Sequence, residues 1–305
     1  MKRILLLVSI TGFMFAEGKI GGVTYFDYSN TEETTEFNLK RQYFGYGGEV
    51  SDQVSYKILF DVGRYDSDTR LTTYLKKAQI NYNSSFGKFN FGLIGMNTYN
   101  IQEKNWGYRF IEKSAIDENK FSSTADIGVG FSRSLIDNLN LSLLFVNGEG
   151  FKKPQGDEYH KIAFNTTYGE GNLNMNDGYN AGLVYTTEQT DTDPITMASI
   201  FGGFAGMGLR LGGEYDMLTK GSVESNIISV SANYTVRDNI DIFARYDMVD
   251  DNDNTNKNGE NYLITGIVLS CDGGISVAPN LRMMNYEDTK KDSDMEYKVN
   301  FQFKF

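Results

Sequence analysis

Along most of this chain apolar and polar side chains alternate one by one. In 54–62, Val54, Tyr56, Ile58, Phe60 and Val62 share one face, while Ser55, Lys57, Leu59 and Asp61 share the other. In 240–248, Ile242, Ala244, Tyr246 and Met248 oppose Asp241, Phe243, Arg245 and Asp247. In 208–215, Leu209, Leu211 and Tyr215 oppose Arg210, Gly212 and Glu214. A period of two marks a β-strand with two unlike faces. The pattern predicts about sixteen strands, each close to the ~9–11 residues that a tilted membrane strand needs. They run roughly 19–28, 37–49, 54–64, 71–83, 88–97, 123–134, 139–147, 159–168, 178–187, 195–204, 206–217, 223–234, 239–248, 260–269, 274–285 and 295–305.

The connections alternate too. After odd-numbered strands they are mostly long and polar, as in 29–36, 98–122, 148–158 and 249–259. After even-numbered strands they are mostly short turns, as in 51–53, 84–87, 236–238 and 271–273, with 169–177 as the exception. A soluble β-sandwich gives no reason for this asymmetry, whereas a transmembrane barrel does. The predicted fold is therefore all-β: a transmembrane antiparallel β-barrel of about sixteen strands in one domain, residues 17–305. An even count returns both termini to the short-turn end.

The last strand sharpens this picture. Tyr297, Val299, Phe301, Phe303 and Phe305 alternate with Lys298, Asn300, Gln302 and Lys304, and the chain stops on Phe. A final strand of this kind resembles the assembly signal of bacterial outer-membrane barrels. The expectation is that the aromatic set meets lipid, the polar set meets water inside the barrel, and the strand closes against 19–28. At the other end, Met1, Lys2 and Arg3 precede a short apolar core, 4–10, and a plausible cleavage point after Ala16. This predicts a cleaved signal peptide over 1–16. About 13 apolar-leaning residues are too few for a membrane anchor. The expected location is the outer membrane of a Gram-negative-type bacterium, with its lipid and lipopolysaccharide as partners.

Composition agrees and narrows the function. A mean hydropathy of −0.40, with no run of eighteen apolar residues, excludes a helical membrane protein. With 20 Tyr, 21 Phe and only 3 Pro, the chain suits many strands with aromatic girdles. One His and one Cys leave few transition-metal ligands, and no cofactor is expected. A formal charge of −11 argues against nucleic acid as a partner. An EF-hand beginning at Asp251 would need Gly at 256 and an acid at 262, where Asn256 and Tyr262 stand, so 250–254 reads as an exposed acidic loop. The single His160 and the absence of G-x-S-x-G around a serine speak against an enzyme.

Through Lys40-Arg41 within 39–46, the strand 56–62, Lys76-Lys77 within 75–82, the segment 89–95, and 127–132, the first half resembles the phosphate-selective porin O and P family. The resemblance implies a sixteen-stranded barrel, a homotrimer, and a third outer loop folded into the pore. By strand count that loop is 98–122, the longest connection. The family is implied to line its pore with many arginines; this chain has ten in all, Arg3 included, and no dense ladder.

A barrel of this size encloses a channel that side chains alone do not fill. The expected function is passive diffusion of ions and small hydrophilic solutes, with phosphate-like anions as one class; the alternative is a non-conducting barrel with a structural or adhesive role. A basic charge facing lipid at the midplane costs roughly 2–4 kcal/mol, so Lys57, Lys77, Arg210, Arg245, Arg282 and Lys298 should point inward. The candidate pore-lining and solute-binding residues are Lys40, Arg41, Lys57, Asp61 and Lys77 on the wall. On the loop, Arg109 and Lys113 oppose Glu103 and Glu112, which would set up a transverse field. Strict alternation admits only one of Lys40 and Arg41 to the interior; the other belongs beside a bulge or at a subunit contact.

Overall fold

A computed structural model describes residues 18–65 and 68–305. The signal peptide expected over 1–16 lies outside the described residues. Sixteen antiparallel strands close into one barrel, each bonded to its sequence neighbours. They are β1 Gly18–Asn30, β2 Thr35–Glu49, β3 Val54–Tyr65, β4 Asp68–Ser84, β5 Gly87–Gly95, β6 Ala125–Ile136, β7 Leu139–Val146 and β8 Lys161–Gly169. The second half comprises β9 Gly178–Glu188, β10 Ile195–Gly206, β11 Leu209–Lys220, β12 Val223–Arg237, β13 Ile240–Asp250, β14 Glu260–Cys271, β15 Ile275–Tyr286 and β16 Asp294–Lys304. Two short helices, α1 Asn100–Trp106 and α2 Ala115–Glu118, interrupt the connection between β5 and β6.

The ring closes where the terminal pattern predicts. β16 pairs with β1, placing Phe301 opposite Phe26 with their rings stacked at 4.5 Å. Phe305 exchanges two backbone hydrogen bonds with Gly22, at 3.0 and 3.1 Å. The two faces of β16 differ as alternation requires: Tyr297 and Phe303 are exposed on the outside, and Lys298 and Asn300 are buried on the inside. Closure leaves no unpaired sheet edge, the condition a spanning sheet must meet in lipid.

Two features depart from simple alternation. The turn between β10 and β11 is only Met207–Gly208, both with positive φ (55° and 77°), the geometry of a two-residue hairpin matched to strand twist. It shifts β11 about three residues beyond the range expected from the sequence. Second, parts of the inner face are apolar. Met197, Phe201, Leu218 and Ile227 on β10–β12 are buried, as are Phe243, Ile264 and Val268 on β13 and β14. Their partners are the apolar residues of the β5–β6 connection, including Ile101, Trp106, Tyr108 and Ile116.

Candidate functional site

The β5–β6 connection, 96–124, meets the inward faces of strands around much of the ring. Asn105 exchanges two side-chain bonds with Asn180 on β9, each 2.9 Å. Asn233 on β12 donates to the Trp106 carbonyl at 3.0 Å. Tyr108 donates to Asp241 on β13 at 2.7 Å, and Asn300 on β16 donates to the Phe110 carbonyl at 3.2 Å. Gly107, with φ 81°, ends α1 in the left-handed conformation and turns the chain toward β13. The apolar cushions described above seat the segment, and the polar contacts fix its register.

Arginines on the wall clamp the segment's far half. Arg282 on β15 donates to the Glu112 carboxylate at 2.7 Å and to the Ile111 carbonyl at 2.6 Å. Arg245 on β13 forms a bidentate pair with Asp247, at 2.9 and 2.6 Å, and donates to the Lys113 carbonyl. Its guanidinium also lies over the Trp106 ring. Arg210 on β11 donates to the Trp106 carbonyl and lies over Tyr108. A planar fork with several fixed donors suits this task better than a lysine would. Burial alone would raise the Glu112 carboxyl, but Arg282 and Arg245 outweigh it and hold it below its ordinary value. A lowered carboxylate stabilises the fold above its unfolded value and loses that contribution as pH falls through the folded one. Glu112→Gln should therefore lower the thermal midpoint at pH 7, and the gap should narrow as pH falls below the ordinary glutamate range. Melting curves from pH 7 downward check this; a gap that does not narrow on acidification rejects it.

Opposite these arginines lies a second charged cluster. Asp61 on β3 is fully buried; Arg41 pairs with it at 2.6 Å, Lys76 at 3.6 Å, and Tyr74 donates to it at 3.0 Å. Lys40 and Arg41 both belong to the interior, because β2 carries a bulge. Arg41 faces Tyr25, Leu39 faces Phe26, and Lys40 is the extra residue between them. Lys40 pairs with Asp27 on β1 at 3.5 Å and remains half exposed. β4 repeats the device: Lys77 faces Leu59, Leu75 faces Phe60, and Lys76 is extra. Lys77 stands close over Gly95, where any β-carbon would collide with its ammonium. Lys57 is exposed beside a 750 Å³ cavity at the short-turn end. Lys298 pairs with Glu296 at 2.8 Å.

On the segment itself, Arg109 is held between Glu103 at 2.8 Å and Asp117 at 2.9 Å, and Lys113 pairs with Glu118 at 2.7 Å. Burial raises the Glu103 carboxyl although Arg109 pulls it down. Glu112 thus faces wall arginines, whereas Glu103 pairs within the segment. A cavity of 310 Å³ separates the segment from β1, β2 and β14–β16. Six basic side chains line it (Lys40, Arg41, Arg109, Lys113, Arg282 and Lys298) against three acidic ones, Asp27, Glu112 and Glu118. The local balance is basic in a chain whose total charge is strongly acidic.

Sequence reasoning missed Lys76, Asp27 and the inner apolar cushion. The Lys76-Lys77 doublet is a legible signal in hindsight, since it repeats the Lys40-Arg41 doublet. The cushion is marked by large apolar residues at polar-phase positions, such as Phe243.

No family model matches the sequence, and no curated protein matches it. Solved structures do resemble the fold. The chain superimposes on an anion-selective porin from Comamonas acidovorans with a TM-score of 0.70 at 10% identity, covering 95% of this chain and 100% of that one. Salmonella typhi OmpF, solved in complex with daunomycin, gives 0.69 at 11% identity over 95% and 98%. The outer-membrane channel DcaP of Acinetobacter baumannii gives 0.67 at 12% identity over 95% and 97%. At these identities the likeness concerns the fold.

Proposed function

We propose that this protein is an outer-membrane porin, a water-filled channel for passive diffusion of ions and small hydrophilic solutes. The observation that carries the reading is the closed sixteen-strand ring, apolar outside and charged inside, with one long connection seated against its inner face. In this reading 96–124 is the third outer loop and the constriction, and Lys40, Arg41, Lys57, Asp61, Lys77, Glu103, Arg109, Glu112 and Lys113 line the path. The basic excess in the 310 Å³ cavity supports a preference for anions, phosphate among them. Export through a cleaved signal peptide over 1–16, contact with lipid and lipopolysaccharide, and a homotrimer belong to the same proposal. Porin-like neighbours support it, one of them anion-selective.

The apolar seating of the segment favours one other reading, a plugged barrel with a structural or adhesive role. Planar-bilayer recording of the refolded protein separates the two. Discrete open-channel steps in potassium chloride are expected. Folded protein that inserts without conducting would leave the plugged barrel.

A further inference from the structure

A second large cavity, of 750 Å³, opens at the short-turn end between β4–β8 and α1. Its volume falls within the roughly 300–1,000 Å³ of small-molecule sites. It is distinct from the basic cavity beside β1 and β2, and the two share no lining residue. Its chemistry is unusual for this chain. The sequence holds 40 acidic residues, yet among the described residues no carboxylate lines this cavity. Most of its lining side chains are serines, asparagines and a threonine. Lys88, Lys104 and Arg133 add positive charge, and none of them forms an ion pair among the described residues. The Lys104 ammonium donates to the Gly171 carbonyl, at 3.2 Å.

One buried group points to a ligand. Asn97 lines the cavity and is only 5% exposed. Its amide nitrogen donates into the wall, to the Ser142 hydroxyl at 3.0 Å, which fixes the side chain. Its carbonyl oxygen Oδ1 is left without a partner. A buried acceptor of this kind is ordinarily satisfied, so it calls for an incoming O–H or N–H donor. Hydroxyls on the solute would meet Asn97 and the surrounding hydroxyl and amide groups. An anionic group would meet Lys88 and Lys104 through charge-assisted bonds.

We propose that this cavity is a binding site for a small polyhydroxylated organic anion, of the sugar-acid or sugar-phosphate class. The proposal rests on the channel reading for its purpose, as a station at the inner mouth, but not for the site itself. Isothermal calorimetry on the refolded full-length protein in detergent tests it with three probes. Glucuronate carries both features, glucose lacks the charge, and cyclohexanecarboxylate lacks the hydroxyls. Glucuronate should bind about tenfold or more tightly than either, a difference of about 1.4 kcal/mol. Lys88→Gln with Lys104→Gln should bring glucuronate most of the way to the level of glucose, with Arg133 left as the one cation in the lining. Should the double variant fail to fold, Lys88→Gln alone, on an exposed side chain, should still weaken glucuronate several-fold. Equal binding of the three probes, or glucuronate binding indifferent to Lys88→Gln, would overturn the proposal. Bilayer current without selective binding removes this site alone. Selective binding without current removes the channel and leaves the site.

Discussion

Arg282→Ala will lower the thermal midpoint of the folded barrel and, on the channel reading proposed above, raise its single-channel conductance. Arg282 bonds Glu112 and the Ile111 carbonyl on the 96–124 segment, and Asn280 on its own strand at 2.9 Å. Removing it strands a buried carboxylate and a backbone carbonyl together. Breaking a buried pair from one side costs about 3–5 kcal/mol, far more than an exposed pair is worth. The segment can recover part of that cost by letting Glu112 swing into water, which widens the passage. Arg282→Lys keeps the charge but cannot serve three acceptors in fixed directions, so it should lie between the variant and the parent. Thermal unfolding in detergent and conductance in potassium chloride read the two effects. An unchanged midpoint together with unchanged conductance would reject this clamp.

The second large effect concerns ion selectivity. Lys40→Glu should move the reversal potential in a salt gradient strongly toward cations. Among the basic groups of the 310 Å³ cavity, Lys40 is loosely held, half exposed and 3.5 Å from Asp27. Arg41 and Arg109, by contrast, are tied to carboxylates at 2.6 and 2.8 Å. A unit charge about 6 Å from a passing ion contributes roughly 0.7 kcal/mol in water. The substitution changes two units, and cations and anions respond in opposite senses. Unscreened, this amounts to about 2.8 kcal/mol in the permeability ratio, on the order of a hundredfold, and it shrinks as salt rises. Replacing Arg109 and Lys113 with Ala should act in the same direction. It also frees Glu103, Asp117 and Glu118, so its effect mixes charge with loosening of the segment. A reversal potential unmoved by Lys40→Glu would place Lys40 away from the ion path. Added phosphate as a competitor would then report whether the remaining basic groups bind it.

These residues also show where reading the chain succeeds. Alternation along 54–62 or 297–305 is a local property, because successive side chains in an extended chain must point to opposite faces. That property assigned about sixteen strands and the exposed side of Phe303 and Phe305, and the strand count with the terminal aromatic added the pairing of the last strand with the first. At Lys40-Arg41 alternation required a bulge or a subunit contact without choosing between them, and at Lys76 it gave no sign of the bulge, since a bulge depends on how the partner strand runs. It also gave no reason for Phe243 to share a face with Arg245. The reason is Trp106, more than a hundred residues earlier, which needs an apolar seat on that wall.

Strand number, order and the two chemical faces follow from the sequence, because they depend on neighbours one or two residues apart. Which charges meet was settled by closure of the ring. Glu112 reaches Arg282 across 170 positions, and Asn105 reaches Asn180 across 75. Contacts of that span depend on barrel diameter, bulge position and the path of one long connection, and none of these leaves a periodic trace in the chain.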